Sequence, residues 1–432
     1  VYARLMETYA AFAEHTDAQI GRLIDALEDM GVFDDTLFIY IAGDNGASAE
    51  GGLDGTFNEL MALNGIPQNL DEVLSRIDDI GGPLAFNHYP VGWAHAMNCP
   101  YQYTKQVASH FGGTRNSMAL SWPTGVSDAG AIRSQFAHVI DLVPTILEVA
   151  GLPEPSSVNG VAQKPIEGTS MAYTFDDADA AGRHITQYFE RFGNRGIYHD
   201  GWTAVTQHSL PWISRQWPSF DADEWELYDT NNDWSQARDL SDEMPDKLRE
   251  LQELFLIEAS KYDVFPLDDR VYERFNAAVA GRPDLPGGRT TMTFYPGMDH
   301  LMENTVLNVK NRSHTVTAEI ELSEGATDGV VIAQGGRFAG WSLYVKDGRL
   351  KYAYNWFDSD YTTIESDEPL PTGVLNVRYH FDFDGDQPGA GGTGRLHVGD
   401  RLVAEGRIDR TVPYVFSADE TMDIGSDLAL PV

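Results

Sequence analysis

At 432 residues the chain is long enough for about three domains of ~150 residues, each with a sizeable core. Its 42% hydrophobic and 22% charged residues are the make-up of a folded protein and exclude wholesale disorder. With 66 acidic against 30 basic side chains, the net charge of −36 disfavours nucleic-acid binding and attachment to anionic membranes, both of which need basic surface.

The acidity is spread along the chain, so it reads as a solvating bias that attracts divalent cations weakly, not as an acidic tail. A lone cysteine, Cys99, rules out an intrachain disulfide and a thiolate metal cluster. No apolar run reaches the ~18–20 residues that span a bilayer. Val1 opens almost directly into a helix pattern, and no signal peptide is visible. The expectation is that the leading segment was removed or that the chain starts inside a longer protein.

From Leu5, apolar residues recur at three- and four-residue spacing through Tyr9, Phe12, Ile20, Leu23, Ile24, Leu27 and Met30. This predicts an amphipathic helix stopped by Gly31. The unbroken run Thr36–Ala42 suits a strand covered on both faces, as in a parallel sheet, and leads straight into Gly43-Asp44-Asn45-Gly46. Residues 46–104 are rich in Gly, Pro and Asn, with a short helical stretch near Leu70–Ile80; such long irregular segments are often functional. A second strand reads from Ser117 to Trp122, and Asp141 caps a helix that ends at Gly151.

Beyond His184 the pattern changes to short strands, at His184–Glu190, Gly196–Tyr198, Trp202–Gln207 and Trp225–Tyr228. A helix carrying Leu248, Leu251, Phe255, Ala259 and Tyr262 follows, giving a small antiparallel sheet with one helix. Residues 281–288 form a Gly/Pro linker. Thereafter the chain is all-β: Val316, Ala318, Ile320 and Leu322 alternate with polar residues, as do Val377, Tyr379, Phe381 and Phe383. Asp347-Gly348 marks a hairpin turn, and many strands with one polar face indicate a β-sandwich or jelly roll. The expected layout is an α/β part over 1–180, an antiparallel subdomain over 181–280 and a sandwich over 290–432.

Two clusters could carry chemistry. Asp44 and Asn45 sit at the carboxyl end of a predicted buried strand, where open α/β sheets bind ligands. A carboxylate beside an amide oxygen suits a hard cation, although Asn-Gly is also an ordinary turn dipeptide. The second cluster gathers His95, Lys105, His110 and Arg115 around the paired glycines Gly112-Gly113. In so acidic a chain this clustering makes it a candidate local anion site, although a lone lysine or histidine is more commonly a solvated or packed residue.

The order of these motifs resembles the type I sulfatases (arylsulfatases) of the alkaline-phosphatase-like superfamily. It comprises a strand into Gly-Asp-Asn-Gly, then Gly92-Trp93-Ala94, Lys105, Gly112-Gly113-Thr114-Arg115 and a strand closing in Trp122-Pro123. The match covers about residues 1–265. The tail is similar to the β-sandwich extension of some bacterial arylsulfatase-like proteins. The resemblance implies an α/β fold, a mixed sheet flanked by helices, here without its front, with the antiparallel subdomain and C-terminal sandwich attached. It implies calcium held by Asp44 and Asn45, and Lys105 binding the sulfate group and acting in catalysis. His95 and His110 are the further catalytic candidates, and Arg115 joins Lys105 in substrate binding. In many relatives the Gly-Gly pair follows the lysine at a spacing one residue shorter and is preceded by Glu, where Phe111 precedes it here.

Family catalysis uses a formylglycine made from Cys or Ser in Cys/Ser-x-Pro/Ala-x-Arg, which attacks sulfur while calcium and cations hold the developing charge. Cys99 precedes Pro100 directly and lacks the arginine, so it does not fit. The expectation is therefore a carboxyl-terminal portion of a sulfatase whose nucleophile lies before Val1, and which is inactive by itself. Its partners would be sulfated small molecules or glycans, in a periplasmic or secreted setting. The competing readings are a phosphate or phosphonate ester hydrolase of the same superfamily and a non-catalytic carbohydrate-binding protein. In the tail, Asp382–Asp386 is an acidic turn with some likeness to a calcium loop but without its closing Glu.

Overall fold

The computed structural model describes residues 1–43, 45–213, 217–385, 387–428 and 430–432. The chain divides into two compact units built from interleaved stretches, one from residues 2–55 and 89–269, the other from Val1, 56–88 and 270–432.

In the first of these, the apolar periodicity yields a helix over Tyr2–Asp29, and Gly31 turns the chain out of it at φ 68°. Only Leu5 of that helix is fully buried; Phe12 and Leu23 remain exposed. The run after Asp35 forms β1 (Phe38–Ile41), which pairs antiparallel with β2 (Met118–Ser121) in the register Phe38↔Ser121 to Ile41↔Met118. The parallel neighbour expected for β1 is therefore replaced by an antiparallel one. An apolar run records how much cover a strand calls for and carries no information on its partner's direction.

Asp141 departs from its expected role in a similar way. It stands at the N-cap of the helix Leu142–Val149, yet its side chain gives that helix no cap hydrogen bond. The carboxylate instead accepts from the backbone N–H groups of His138 (2.8 Å) and Thr169 (2.7 Å) and pairs with His184. After the two-residue strands β3 (Ser157–Val158) and β4 (Val161–Ala162), an antiparallel meander follows. Its strands are β5 (Thr186–Arg191), β6 (Asn194–His199), β7 (Trp202–Thr206) and β8 (Glu226–Asp229), hydrogen-bonded in sequence order. Both of its tight hairpins place two residues at positive φ, Phe192-Gly193 and Asp200-Gly201, which matches the twist of the strands they join. The helix Pro245–Lys261 lays Leu251, Phe255 and Ala259 on Ile197, Ala204 and Leu227.

The second unit is dominated by two antiparallel sheets. Its strands are β9 (His314–Leu322), β10 (Gly329–Gly336), β11 (Ala339–Lys346), β12 (Arg349–Trp356) and β13 (Asp360–Glu365). They continue with β14 (Gly373–Phe383), β15 (Ala390–Val398), β16 (Arg401–Arg410) and β17 (Met422–Ile424). The five-stranded sheet runs β13-β12-β11-β10-β17 and the four-stranded one β16-β15-β14-β9. Asp347 and Gly348, at φ 53° and 72°, close the β11–β12 hairpin. Alternate residues of both sheets enter one core, where Tyr352 of β12 stacks on Tyr379 of β14 with ring centroids 3.6 Å apart. Burying a large apolar side chain is worth about 1.5–3 kcal/mol, so this core supplies much of the unit's stability.

Residues 56–88, from the irregular segment, belong to this unit. Leu60 and Met61 join its core, and Asn58 Nδ2 donates to the carbonyls of Phe338 (3.0 Å) and Phe357 (3.1 Å). Asn64 Nδ2 donates to Val415 O at 2.9 Å. Among the described residues no helix is long and apolar enough to cross a membrane.

Candidate active site

The loop after β1 and the segment 98–116 are stitched together by backbone groups and two asparagines. Lys105 N donates to Ala47 O (3.1 Å), and Gly46 N donates to Asn116 Oδ1 (2.9 Å). Asn98 lies at the end of the helix Val91–Asn98 and uses both ends of its carboxamide. Oδ1 accepts from Ala47 N (3.1 Å), while Nδ2 donates to Tyr103 O (3.0 Å) and Gly112 O (2.7 Å). Gly46, at φ 83°, is pressed so closely against this segment that a Cβ there would lie 1.9 Å from Gly112 O. The glycine is thus required twice over, by its conformation and by the approach of a neighbouring backbone.

Lys105 keeps its ammonium partly exposed, with 31% of the side chain accessible. Its Nζ donates to Glu50 Oε2 at 2.8 Å. The same carboxylate is oriented by Ser48 Oγ (2.8 Å to Oε2) and Gln106 Nε2 (3.2 Å to Oε1). The backbone of the next residue is also fixed, since Asn194 Nδ2 from the start of β6 donates to Gln106 O at 3.1 Å. A partly solvated ammonium on a pinned loop can take up an oxyanion by exchanging its carboxylate partner.

The other predicted residues occupy different surroundings. His110 is fully buried, with Nδ1 2.9 Å from Ser109 Oγ and Nε2 3.1 Å from Glu226 Oε2. Tyr228 donates to that same Glu226 oxygen, and Gln102 Nε2 donates to the Tyr228 hydroxyl at 3.3 Å. Burial alone would raise the Glu226 carboxyl, but the hydrogen bonds from His110 and Tyr228 hold it below its ordinary value. Burial and the Glu226 carboxylate together push the Tyr228 phenol well above its usual range. His110 therefore ties the Lys105 segment to β8.

Arg115 donates from Nη1 to Trp234 O (2.9 Å), and its guanidinium lies 5.2 Å from the Phe111 ring and 5.5 Å from that of Tyr101. Phe111 supplies one wall of this aromatic seat. His95 is exposed on its helix, and its imidazole makes no hydrogen bond among the described residues. Asn45 is also exposed, its carboxamide free of partners among the described residues, whereas Asp44 lies outside them. An amide oxygen is a donor that a hard cation accepts, and calcium takes six to eight oxygen ligands. Asn45 fits such an ion in kind and would supply one ligand of that number.

Sequence reasoning assigned no role to Asn98, Glu50, Asn116 or Glu226. Each acts on a partner far along the chain, and nothing in its own neighbourhood announces that partner.

Residues 2–152 match the family model described as Sulfatase. The chain carries a sulfatase-family domain. It is 30% identical over 283 residues to an uncharacterized sulfatase of Schizosaccharomyces pombe, covering 63% of this chain and 46% of that protein. It is 29% identical over 170 residues to an arylsulfatase of Klebsiella aerogenes, covering 39% of this chain and 34% of that protein. With the N-acetylgalactosamine-6-sulfatase of Homo sapiens the identity is 26% over 180 residues, covering 42% of this chain and 25% of that protein. The chain thus spans about half the length of the first of these relatives and less of the other two. The match from residue 2 to 152 takes in every predicted site residue of the sulfatase domain.

Proposed function

We propose that this chain supplies the sulfate-binding lysine and part of the metal shell of a sulfatase that hydrolyses sulfate esters. The observation that carries the reading is the backbone link from Lys105 N to Ala47 O. It fixes the lysine against the loop that bears Asp44 and Asn45, within a domain that matches the sulfatase family. Lys105 holds a sulfate oxygen and balances charge on the departing group. Asp44 and Asn45 are two ligands of a calcium ion, whose chemistry is to polarise the sulfate. His95, exposed on the helix Val91–Asn98, is our candidate for the proton donor. His110 acts by holding the loop, since both its ring nitrogens are engaged by Ser109 and Glu226, while Arg115, with Nη1 on Trp234 O, remains exposed for substrate.

No Cys/Ser-x-Pro/Ala-x-Arg sequence occurs in the 432 residues, so the formylglycine is not made from any of them. The chain alone is accordingly a sulfate binder without turnover. Substrates are aryl or sugar sulfate esters, the two classes named for the relatives.

The test is calorimetric binding of 4-nitrophenyl sulfate, with sulfate release followed in parallel. The expected result is saturable binding, no release with or without calcium, and at least tenfold weaker binding in Lys105→Ala. Calcium-stimulated release by this chain, or equal binding by the Lys105→Ala variant, overturns the proposal.

A further inference from the structure

The four-stranded sheet of the second unit turns Val377, Tyr379, Phe381 and Leu396 into the core, so the intervening residues of β14 and β15 face outward. Register then places two basic pairs side by side on that outer face: Arg378 opposite His397, and His380 opposite Arg395. Cationic side chains directly across a ladder repel each other, with Cβ atoms about 4.5–5.5 Å apart. This happens in a chain of net charge −36, where acidic partners are abundant.

The second pair is neutralised. Arg395 Nε pairs with Glu405 Oε2 at 2.6 Å and its Nη1 with Asp382, while His380 Nε2 lies 2.9 Å from Asp382 Oδ1 and its Nδ1 2.8 Å from Thr315 Oγ1. Asp384 is likewise taken by Arg407, so the acidic turn expected to resemble a calcium loop spends its described carboxylates on arginines; Asp386 lies outside the described residues. The first pair differs. Among the described residues Arg378 makes no ion pair or hydrogen bond, and His397 Nδ1 is buried without a partner. The nearest outward positions on the flanking strands hold Thr317 opposite Arg378 and Leu402 opposite His397, neither of them an acid. Burial, and then the charges of Arg378, His380 and Arg395, hold the His397 imidazole below its ordinary value against the opposing charge of Asp400. An anion seated between the two side chains would reverse the effects of those three basic neighbours and give the buried Nδ1 a partner.

We propose that Arg378 and His397 form a second anion site on this sheet face, taking a single sulfate group of a glycan chain. Arg378 presents a planar fork to two sulfate oxygens, and His397, once its ring turns the covered Nδ1–H outward, donates to a third. Thr317 stands beside them for a sugar hydroxyl, and Leu402 offers an apolar edge to the ring. The acids at Glu319, Asp382 and Glu405 border the site and discourage dense polyanions, so one substituent is selected. The choice of sulfate over another oxyanion rests on the sulfatase reading above. The site would keep a polymeric substrate attached to the chain while its other sulfates are processed.

The experiment uses the full chain carrying Lys105→Ala, so that the first site is silent. Binding of a κ-carrageenan oligosaccharide is compared with that of its desulfated form and of an oligogalacturonate of equal length. The expected result is binding of the sulfated oligosaccharide only, reduced at least tenfold in Arg378→Gln and several-fold in His397→Gln. In the unsubstituted sheet the sulfated ligand should also shift the His397 ring proton resonances. No binding, equal binding of the oligogalacturonate, unchanged affinity in both sheet variants, or an unmoved His397 signal overturns the proposal. Failure of the sulfatase reading shows separately, as 4-nitrophenyl sulfate binding that ignores Lys105→Ala.

Discussion

Lys105 and Glu50 illustrate how one side chain sets the working charge of another. The 2.8 Å pair is partly exposed on both sides, 31% and 19%, so its strength is that of a solvent-screened bridge, about 0.2–1 kcal/mol. An incoming sulfate must displace this carboxylate. Glu50→Gln keeps the acceptor's shape and removes the competing charge, so sulfate affinity should rise roughly 1.5- to 5-fold, as about 1.4 kcal/mol is tenfold. Titration calorimetry of both proteins at two salt concentrations checks this, and the gain should shrink at higher salt. Weaker binding in Glu50→Gln would mean that the carboxylate's main task is to hold the lysine in place. The lysine could be picked out from its sequence because it stands seven residues before the paired glycines, in an ordered set of motifs. Its partner could not, since a glutamate 55 residues away is one of 66 acidic residues and only the fold selects it.

At the level of elements, periodicity and turn chemistry carried most of the information. The first helix, the Asp347-Gly348 hairpin and the inward faces of β9 and β14 all follow from residue spacing. Pairing partners did not, because hydrogen bonds between strands are made by backbone that every residue shares; β1 accordingly met an antiparallel neighbour. The same blindness hid the role of residues 56–88, whose Asn58 and Asn64 bond to carbonyls about 280–350 positions away. It also made Gly46 look like a turn residue, when its larger constraint is the Gly112 carbonyl against its Cα. Gly46→Ala should therefore cost about 1–3 kcal/mol from its positive φ alone, and more from the contact. Urea unfolding measures that loss. Because the same displacement pulls Ala47 away from Lys105 N, sulfate binding should fall in native conditions where the variant is still fully folded. A variant that is destabilised yet binds sulfate normally would separate the loop after β1 from the anion site.

For the molecule as a whole, the charge of −36 sets a background of self-repulsion that salt relieves, and buried pairs act on top of it. The Asp141–His184 pair is the clearest of these. His184 Nδ1 lies 2.9 and 2.8 Å from the two Asp141 oxygens, and the pair joins the helix Leu142–Val149 to the approach to β5. Burial would raise the Asp141 carboxyl, but the His184 hydrogen bond and the N–H groups of Thr169 and His138 carry it below its ordinary value. Burial would lower the His184 imidazole, but Asp141 carries it above. The two signs define a window. The raised imidazole contributes stability that is complete below its unfolded value of about 6.5 and is lost as pH rises through its folded value. The depressed carboxyl contributes stability that is complete above its unfolded value of about 3.9 and is lost as pH falls through its folded one. His184→Gln should therefore lower the melting temperature most between about pH 4 and about pH 6.5, and progressively less on the alkaline side. The general repulsion is common to both proteins and cancels in the difference, whereas added salt should raise both melting temperatures together. A melting-temperature gap that stays constant from about pH 5 to about pH 9 would show that the pair is held by packing and neutral hydrogen bonds, and not by charge.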